Sequence, residues 1–471
     1  MVATLNRKRD GPKNILNNLD YKTWLQFQKS FERCRFGPNN LPVDFDKIVK
    51  SFILFFTKNA VDGRQTTVLT NIPRPGHIDR KMMNVDGDPL TIDWVQRAQS
   101  TDSQKMDYAV LLIDSLSREK QKEVDSLCFF LAHVLNERSY ATFFCPEHRD
   151  LYPLIWTFAN TSRRYLQLCD EKIFLDEQNT MLPLYALQCR NNADKLPPKP
   201  LDHHITTSPI SVTKYVVPRP APRKREEFAH PAKFPEDLIR VFVDTFTKKN
   251  DWVLDIMAGM GSALIAAYEA GRNSLGIELN PDFVRIAKER IMRVNPPTRL
   301  PGFAPPYVTE LIHGDARNAI ELLSKYKERI AYCVTSPPYW DMLHNPGSEG
   351  QRNRRQRNLR LVYSKSDLDL GNIEDYQTFI IALRDIYKKV ASILKENGKL
   401  TIIAKNVKKK GHLYTFPWDL VDELSGEEGK FDFAGYTLWC QDDVALKPFA
   451  IGHHWVSNIL HHYCLHFKKR T

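Results

Sequence analysis

The residues of this chain whose chemistry is most specific are Ser336, Pro337, Pro338 and Tyr339, which follow the apolar run "YCVT" and precede Trp340. Two successive prolines fix φ and remove two amide donors, so the backbone there offers carbonyl acceptors only. The serine oxygen adds another acceptor and the tyrosine a flat face. This equipment suits an aromatic exocyclic amine, whose lone pair is conjugated and weakly nucleophilic. Accepting hydrogen bonds from its hydrogens localises that pair, and stacking on tyrosine fixes the ring. A second constellation precedes the first. In "VLDIMAGMGS" an apolar run ends at Asp255 and enters a turn with Gly259 and Gly261, where a ligand can approach the backbone closely. The third glycine of a dinucleotide fingerprint is missing, with Leu264 in its place. Glu278 closes the next apolar run and could accept from both ribose hydroxyls. Asp315, in "HGDARNA", stands where an adenine amino group could donate. The set describes an adenosine pocket that requires no pyrophosphate.

These residues must be held by regular elements. "WVLDI", "NSLGIEL", "AYCVT" and "GKLTIIA" read as short buried strands, with "YTLWCQDDVAL" and "NILHHYCLHF" as a closing pair. Helical patterns lie between them at Gly261 to Ala270, Pro281 to Val294, Ala316 to Lys327 and Ile373 to Leu394. Near-continuous apolar strands alternating with helices predict a parallel sheet covered on both faces, with ligands at the carboxyl ends of its strands. The α/β region begins near residue 226. Residues 191–225 are rich in proline and basic side chains and read as a linker. Residues 1–190 read as a mainly helical domain, on patterns such as Phe45 to Thr57 and Glu119 to Asn136. No internal repeat is visible in the sequence.

The second half, residues 226–471, resembles the S-adenosylmethionine-dependent amino methyltransferases of DNA, the N4-cytosine and N6-adenine enzymes. "TSPPYW" resembles their catalytic motif and "LDIMAGMGS" their glycine loop, with Ile256 where the family usually has proline. The resemblance implies a Rossmann-like class I methyltransferase sheet of seven strands, mostly parallel with the last reversed. It implies S-adenosylmethionine as cofactor, held by His230, Pro231, Phe234 and Pro235 of the lead-in segment and by Asp255, Met257, Gly259, Gly261, Ser262, Glu278, Leu279, Asp315 and Ala316. It implies Ser336, Pro337, Pro338 and Tyr339 at the target amine. A motif that starts with serine and continues Tyr-Trp looks like the N4-cytosine type, with N6-adenine as the alternative.

The formal net charge of +11 favours a polyanionic partner. Much of the sharp positive density lies beside the catalytic motif, in a loop over residues 341–370. There Arg352, Arg354, Arg355, Arg357 and Arg360 could clamp phosphates or probe guanine, with Trp340 and Lys405 as further contacts to double-stranded DNA. No reading domain fits between Glu278 and Ser336, so base recognition is assigned by exclusion to residues 1–190, which could instead dimerise. No nuclease motif is evident, so a restriction endonuclease partner would be a separate chain. The polar, basic start is not a secretory signal, and the apolar clusters are too short to span a bilayer. The 8 scattered cysteines lack a Cys-x-x-Cys pair, which fits reduced thiols, a cytoplasmic prokaryotic-type protein and no metal. Cys145 and His148 alone have a metal-like spacing. Two other readings compete: RNA or protein-amide methylation through a similar turn, and a DNA-binding relative without catalysis.

Overall fold

The computed structural model describes residues 19–471 except 21–22, 24–25, 58–65, 74–77, 79, 95–104, 148–153, 193–205, 209–214, 218–233, 295–306, 343–365 and 442–458. Most of the linker expected over 191–225 lies outside the described residues. The chain forms two compact units. The first is residues 1–201 with 410–413 and 444–460, and the second is 202–409 with 414–443 and 461–471.

The first unit is not mainly helical. It is built on a seven-stranded sheet: β1 (Phe31–Cys34), β2 (Thr67–Thr70), β3 (Lys81–Asn84), β4 (Met106–Leu112), β5 (Leu135–Pro146), β6 (Gln167–Asp176) and β7 (Leu184–Arg190). Helices α1 (Phe45–Phe56), α2 (Gln121–Val134) and α3 (Leu154–Ser162) connect them. The strand order is β1-β6-β7-β5-β4-β2-β3. Only β7 is reversed, antiparallel to both β5 and β6. The two helical patterns do become α1 and α2. β4 and β7 are mainly apolar and buried on both faces, and β6 is buried although half of its residues are polar or charged, so none shows the alternation that marks a half-exposed strand.

The second unit contains β8 (Tyr215–Val216), α4 (Glu236–Phe246), β9 (Trp252–Asp255), α5 (Ser262–Glu269), β10 (Asn273–Glu278), α6 (Pro281–Val294), β11 (Thr309–His313) and β12 (Ile330–Thr335). Then come α7 (Tyr376–Ile393), β13 (Leu394–Ala404), β14 (Val407–Lys409), Tyr414 as the last residue of β15 (His412–Tyr414), α8 (Phe416–Ser425), β16 (Phe431–Cys440) and β17 (His461–Lys469). The order β11-β10-β9-β12-β13-β17-β16-β8 gives eight strands, because β8 adds an edge to the seven expected. The last strand, β17, runs antiparallel to β13 and β16. The pattern over Ala316 to Lys327 breaks into short turns, since Asp315 caps a 3-10 turn at Ala316–Asn318.

Setting β11 aside, the two sheets have the same order, the same strand directions and the same chain sequence of strands. Matched side-chain bonds accompany them. Tyr108 donates to Thr142 across β4 and β5 at 2.7 Å, and Tyr332 donates to Thr401 across β12 and β13 at 2.7 Å. Arg80 Nε donates to Thr57 Oγ1 after α1, and Arg272 Nε to Thr247 Oγ1 after α4, both at 3.0 Å. Arg138 in β5 and Asn397 in β13 both take positive φ. Each sits where the register shifts against the neighbouring strand. The chain therefore carries an internal repeat of architecture that its sequence conceals.

Candidate functional site

The site lies in the second unit, at the carboxyl ends of β9, β10, β11 and β12, where parallel sheets leave their crevice. Gly261 takes φ +76° and starts α5, and a Cβ there would stand 3.2 Å from that of Ala287. Only glycine meets both conditions without a shift. The turn opens onto a pocket at these strand ends. Phe234, Met257, Gly259, Ser262, Glu278, Leu279, Asp315, Ala316, Ser336, Pro337 and Pro338 line it, as does Ile256. Pro235 caps the start of α4, and His230 and Pro231 lie outside the described residues.

The carboxylates set the electrostatics. Asp255 is 1% exposed. Its Oδ1 accepts from Thr335 Oγ1 at 2.7 Å and from the Met257 amide at 3.1 Å. Its Oδ2 is buried with no partner among the described residues. Burial pushes its pKa up to about 7, and the nearby Glu278 adds to the rise. Glu278 accepts from the amides of Gly259 and Asn280, each at 2.7 Å, which ties the glycine turn to the end of β10. Burial raises its pKa too, with the charge of Asp369 adding to the effect. Asp315 is held by the guanidinium of Arg317, 2.9 Å away.

Asp369 was not singled out in the sequence. Its only signal there is an Asp-Leu-Gly turn, in which Asp369 accepts from the Gly371 amide at 2.9 Å. Asn280 and Phe283, at the start of α6, also line the pocket without a motif to mark them. Three acids, Glu278, Asp315 and Asp369, thus face the pocket, and no lysine or arginine lines it among the described residues. This lining rejects phosphate and suits a polar ligand carrying positive charge. S-adenosylmethionine fits: it has an adenosine, no phosphate, and a sulfonium with an ammonium. Glu278, Asp315 and the glycine turn would hold it.

The catalytic candidates adjoin the pocket. Ser336 donates its one hydroxyl hydrogen to the carbonyl of Ile403 on β13, at 3.0 Å. Its oxygen lies 3.2 Å from the phenol oxygen of Tyr339. With its own hydrogen committed, Ser336 Oγ takes the phenol hydrogen and keeps one lone pair free as an acceptor. Tyr339 is buried and does not line the pocket. Its ring meets those of Phe416 and His462, and burial pushes its phenol pKa up.

The expected DNA contacts fare differently. Trp340 is 4% exposed, at φ +52°, among Tyr376 and Tyr414 with the Lys409 ammonium 4.0 Å over its ring. An indole so enclosed offers no surface to a duplex in this conformation, which corrects its assignment as a DNA contact. Lys405 points at the Tyr339 ring, 5.6 Å from its centroid. Arg352, Arg354, Arg355, Arg357 and Arg360 lie outside the described residues, as does His148 beside Cys145. Among the described residues no His/Cys/Asp/Glu group could hold a metal ion, and no helix is long and apolar enough to cross a membrane.

Among the described residues the first unit has no equivalent site. By register Thr70 takes the place of Asp255 and Leu111 that of Thr335. Leu112, Ile113, Asp114 and Ser115 stand in place of Ser336, Pro337, Pro338 and Tyr339. The side chain of Asn71 bonds both the carbonyl and the amide of Leu112, at 2.9 and 2.8 Å, and so ties β2 to β4 where the second unit opens.

Over 75 residues the chain is 40% identical to the Type II beta methyltransferase M.BslI of Bacillus sp. (strain NEB-606), covering 16% of this chain and 8% of that protein. Over 63 residues it is 43% identical to the Type II methyltransferase M.Cfr9I of Citrobacter freundii, covering 13% and 21%. The matched segment thus spans less than a quarter of the length of either relative. The crystal structure of TrmN from Thermus thermophilus aligns over 81% of this chain and 79% of its own, at 10% identity and a TM-score of 0.32. A family model described as DNA methylase matches residues 15–289, more than half of the chain, including the glycine turn and Glu278. The chain belongs to this N6/N4 DNA methylase family, whose cofactor is S-adenosylmethionine.

Proposed function

We propose that the chain methylates the exocyclic amine of a base in double-stranded DNA, with cytosine N4 as the target and adenine N6 as the second reading. The observation that carries this is Ser336 Oγ, an acceptor with its own hydrogen committed, at the lip of an acid-lined pocket with no lysine or arginine among its described lining residues. When bound, the cofactor supplies an electrophilic methyl group on a positively charged sulfur. The target base leaves the duplex at a cost of about a few kcal/mol. Ser336 accepts one amine hydrogen, and the carbonyls of the proline-fixed turn are acceptors for the other. Both hold the nitrogen lone pair toward the pocket. Ser336 orients and is not a nucleophile, because among the described residues its hydroxyl is bonded to a carbonyl and a phenol and to no general base.

The arginines between residues 352 and 360 are assigned to phosphate contact in the same reading, and the first unit to base recognition or association with a partner chain such as a restriction endonuclease. Expression in methylation-free cells, followed by mass spectrometry of the digested DNA, is expected to find N4-methylcytosine. Unmodified DNA from cells making a chain that binds S-adenosylmethionine would sink the proposal. Because Asn71 closes the equivalent crevice of the first unit, calorimetry is expected to count one S-adenosylmethionine per chain. Two sites would mean that the repeat kept its cofactor pocket.

A further inference from the structure

The carboxyl edge of the second sheet continues past Ser336 into a pair of side chains that the cofactor pocket does not use. In the strand order, β9, β10 and β11 lie on the pocket side of β12, and β13 and β17 lie on the other. Lys405 directly follows β13. His462 is the second residue of β17, which runs back along β13 with Tyr463 opposite Ala404. Lys405 and His462 are therefore the next facing pair along that ladder. Both converge on Tyr339, with Lys405 Nζ 5.6 Å and the His462 ring 5.8 Å from its ring centroid.

Both are also short of partners. His462 is 5% exposed, stacks on Trp439 at 4.3 Å, and its Nδ1 has no hydrogen-bond partner among the described residues. Burial and the Lys405 charge push its pKa well down, so the imidazole is neutral. No carboxylate among the described residues pairs with Lys405, and burial alone lowers its pKa to about 8. Lys405 is half-buried, and an ammonium with no counter-ion among the described residues is open to a ligand that supplies the acceptor. The sheet edge leaves it beside Tyr339, and it does not line the acid-rich pocket.

We infer that Lys405 and His462 wall the subsite of the target base, and that Lys405 selects cytosine by donating to its ring carbonyl. The inference rests on the proposed methylation of cytosine. The pairing edge of cytosine presents amine, ring nitrogen and carbonyl in a row. That of adenine presents amine, ring nitrogen and a C–H. With the amine held at Ser336, an ammonium at the far end of the edge gains a charge-assisted bond from cytosine and none from adenine. A site built to bond a polar group discriminates strongly against an analogue lacking it.

The test uses the full chain, methylation-free genomic DNA and labelled S-adenosylmethionine, with methylated nucleosides separated by mass spectrometry. Lys405→Met is expected to lower kcat/KM for cytosine about 100-fold and to shift the product ratio toward N6-methyladenine, with cofactor Kd within about threefold of wild type. Lys405→Arg, which keeps a charged donor, is expected to keep N4-methylcytosine as its main product. If the methionine variant folds poorly, Lys405→Gln takes its place with the same expected shift in ratio. Unchanged cytosine methylation and product ratio in the uncharged variant would overturn the inference while leaving the proposed function intact. A wild-type chain that makes only N6-methyladenine, or no methylated nucleoside, would overturn the reading beneath it as well.

Discussion

Asp255→Asn is expected to make the cofactor-free protein more stable at pH 8 by about 2 kcal/mol, and to do nothing of the kind at pH 5. The carboxyl is buried, with one oxygen unpaired, and its pKa is raised from 3.8 to about 7. A folded state that holds the proton more tightly than the unfolded chain loses stability as pH rises from the unfolded value through the folded one. At pH 8 that loss is complete, about 4 kcal/mol at about 1.36 kcal/mol per unit. At pH 5 only about 2 kcal/mol of it has accrued. Asparagine keeps the acceptor for Thr335 and Met257 and carries no charge. Its amide inherits the unpaired position, at a cost of about 2 kcal/mol at either pH. The balance is a gain at pH 8 and about none at pH 5. Urea unfolding at the two pH values reads the difference. An Asp255→Asn effect that does not change with pH would mean that the carboxyl is not held at a raised pKa. Cofactor affinity is expected to move the other way, weakening about tenfold as one negative charge near a cationic ligand disappears. Stability given up in the empty site is a common accompaniment of function.

What the sequence shows and conceals follows the same physics. Helix α6 occupies Pro281–Val294 as its apolar spacing and leading proline predict, and the glycine turn, Glu278 and Asp315 meet at one pocket. Those features are local: a period, a turn, a carboxylate at a strand end. The strands of the first unit are hard to read because β2, β4 and β7 are short runs buried on both faces, and such a run without alternation does not distinguish strand from helix. The architectural repeat was hidden because the residues that carry chemistry differ between the halves. What persists is a few framework bonds, Tyr108 to Thr142 against Tyr332 to Thr401 and Arg80 to Thr57 against Arg272 to Thr247, each between residues far apart in sequence. Trp340 was misplaced for a related reason. Its position after the catalytic turn suggested exposure, but Tyr376 of α7 and Tyr414 of β15, both distant in sequence, enclose it.

Ser336→Ala carries the largest effect expected on the reaction. In the wild type the hydroxyl hydrogen is fixed on the Ile403 carbonyl and the phenol hydrogen of Tyr339 fills one lone pair, so the other faces outward as a rigid acceptor. Such preorganisation is what makes one well-placed hydrogen bond worth about 3–4 kcal/mol in a transition state. Alanine removes the acceptor and leaves the phenol and the carbonyl without their shared partner, which lowers stability by about 1–3 kcal/mol. The single-turnover methylation rate on DNA is then expected to fall by about 100- to 1,000-fold. S-adenosylmethionine Kd should stay within about threefold, because the contacts proposed for the cofactor are the acids and the glycine turn rather than this hydroxyl. Tyr339→Phe separates the two functions of the oxygen. It removes the phenol donor, leaves Ser336 its hydrogen bond to Ile403, and is expected to slow the reaction by about tenfold. Rapid-quench measurement of the two variants beside wild type gives the ordering. If alanine at 336 left the single-turnover rate unchanged, the serine would be a framework residue of the turn, and the target amine would have to be held by the proline carbonyls alone.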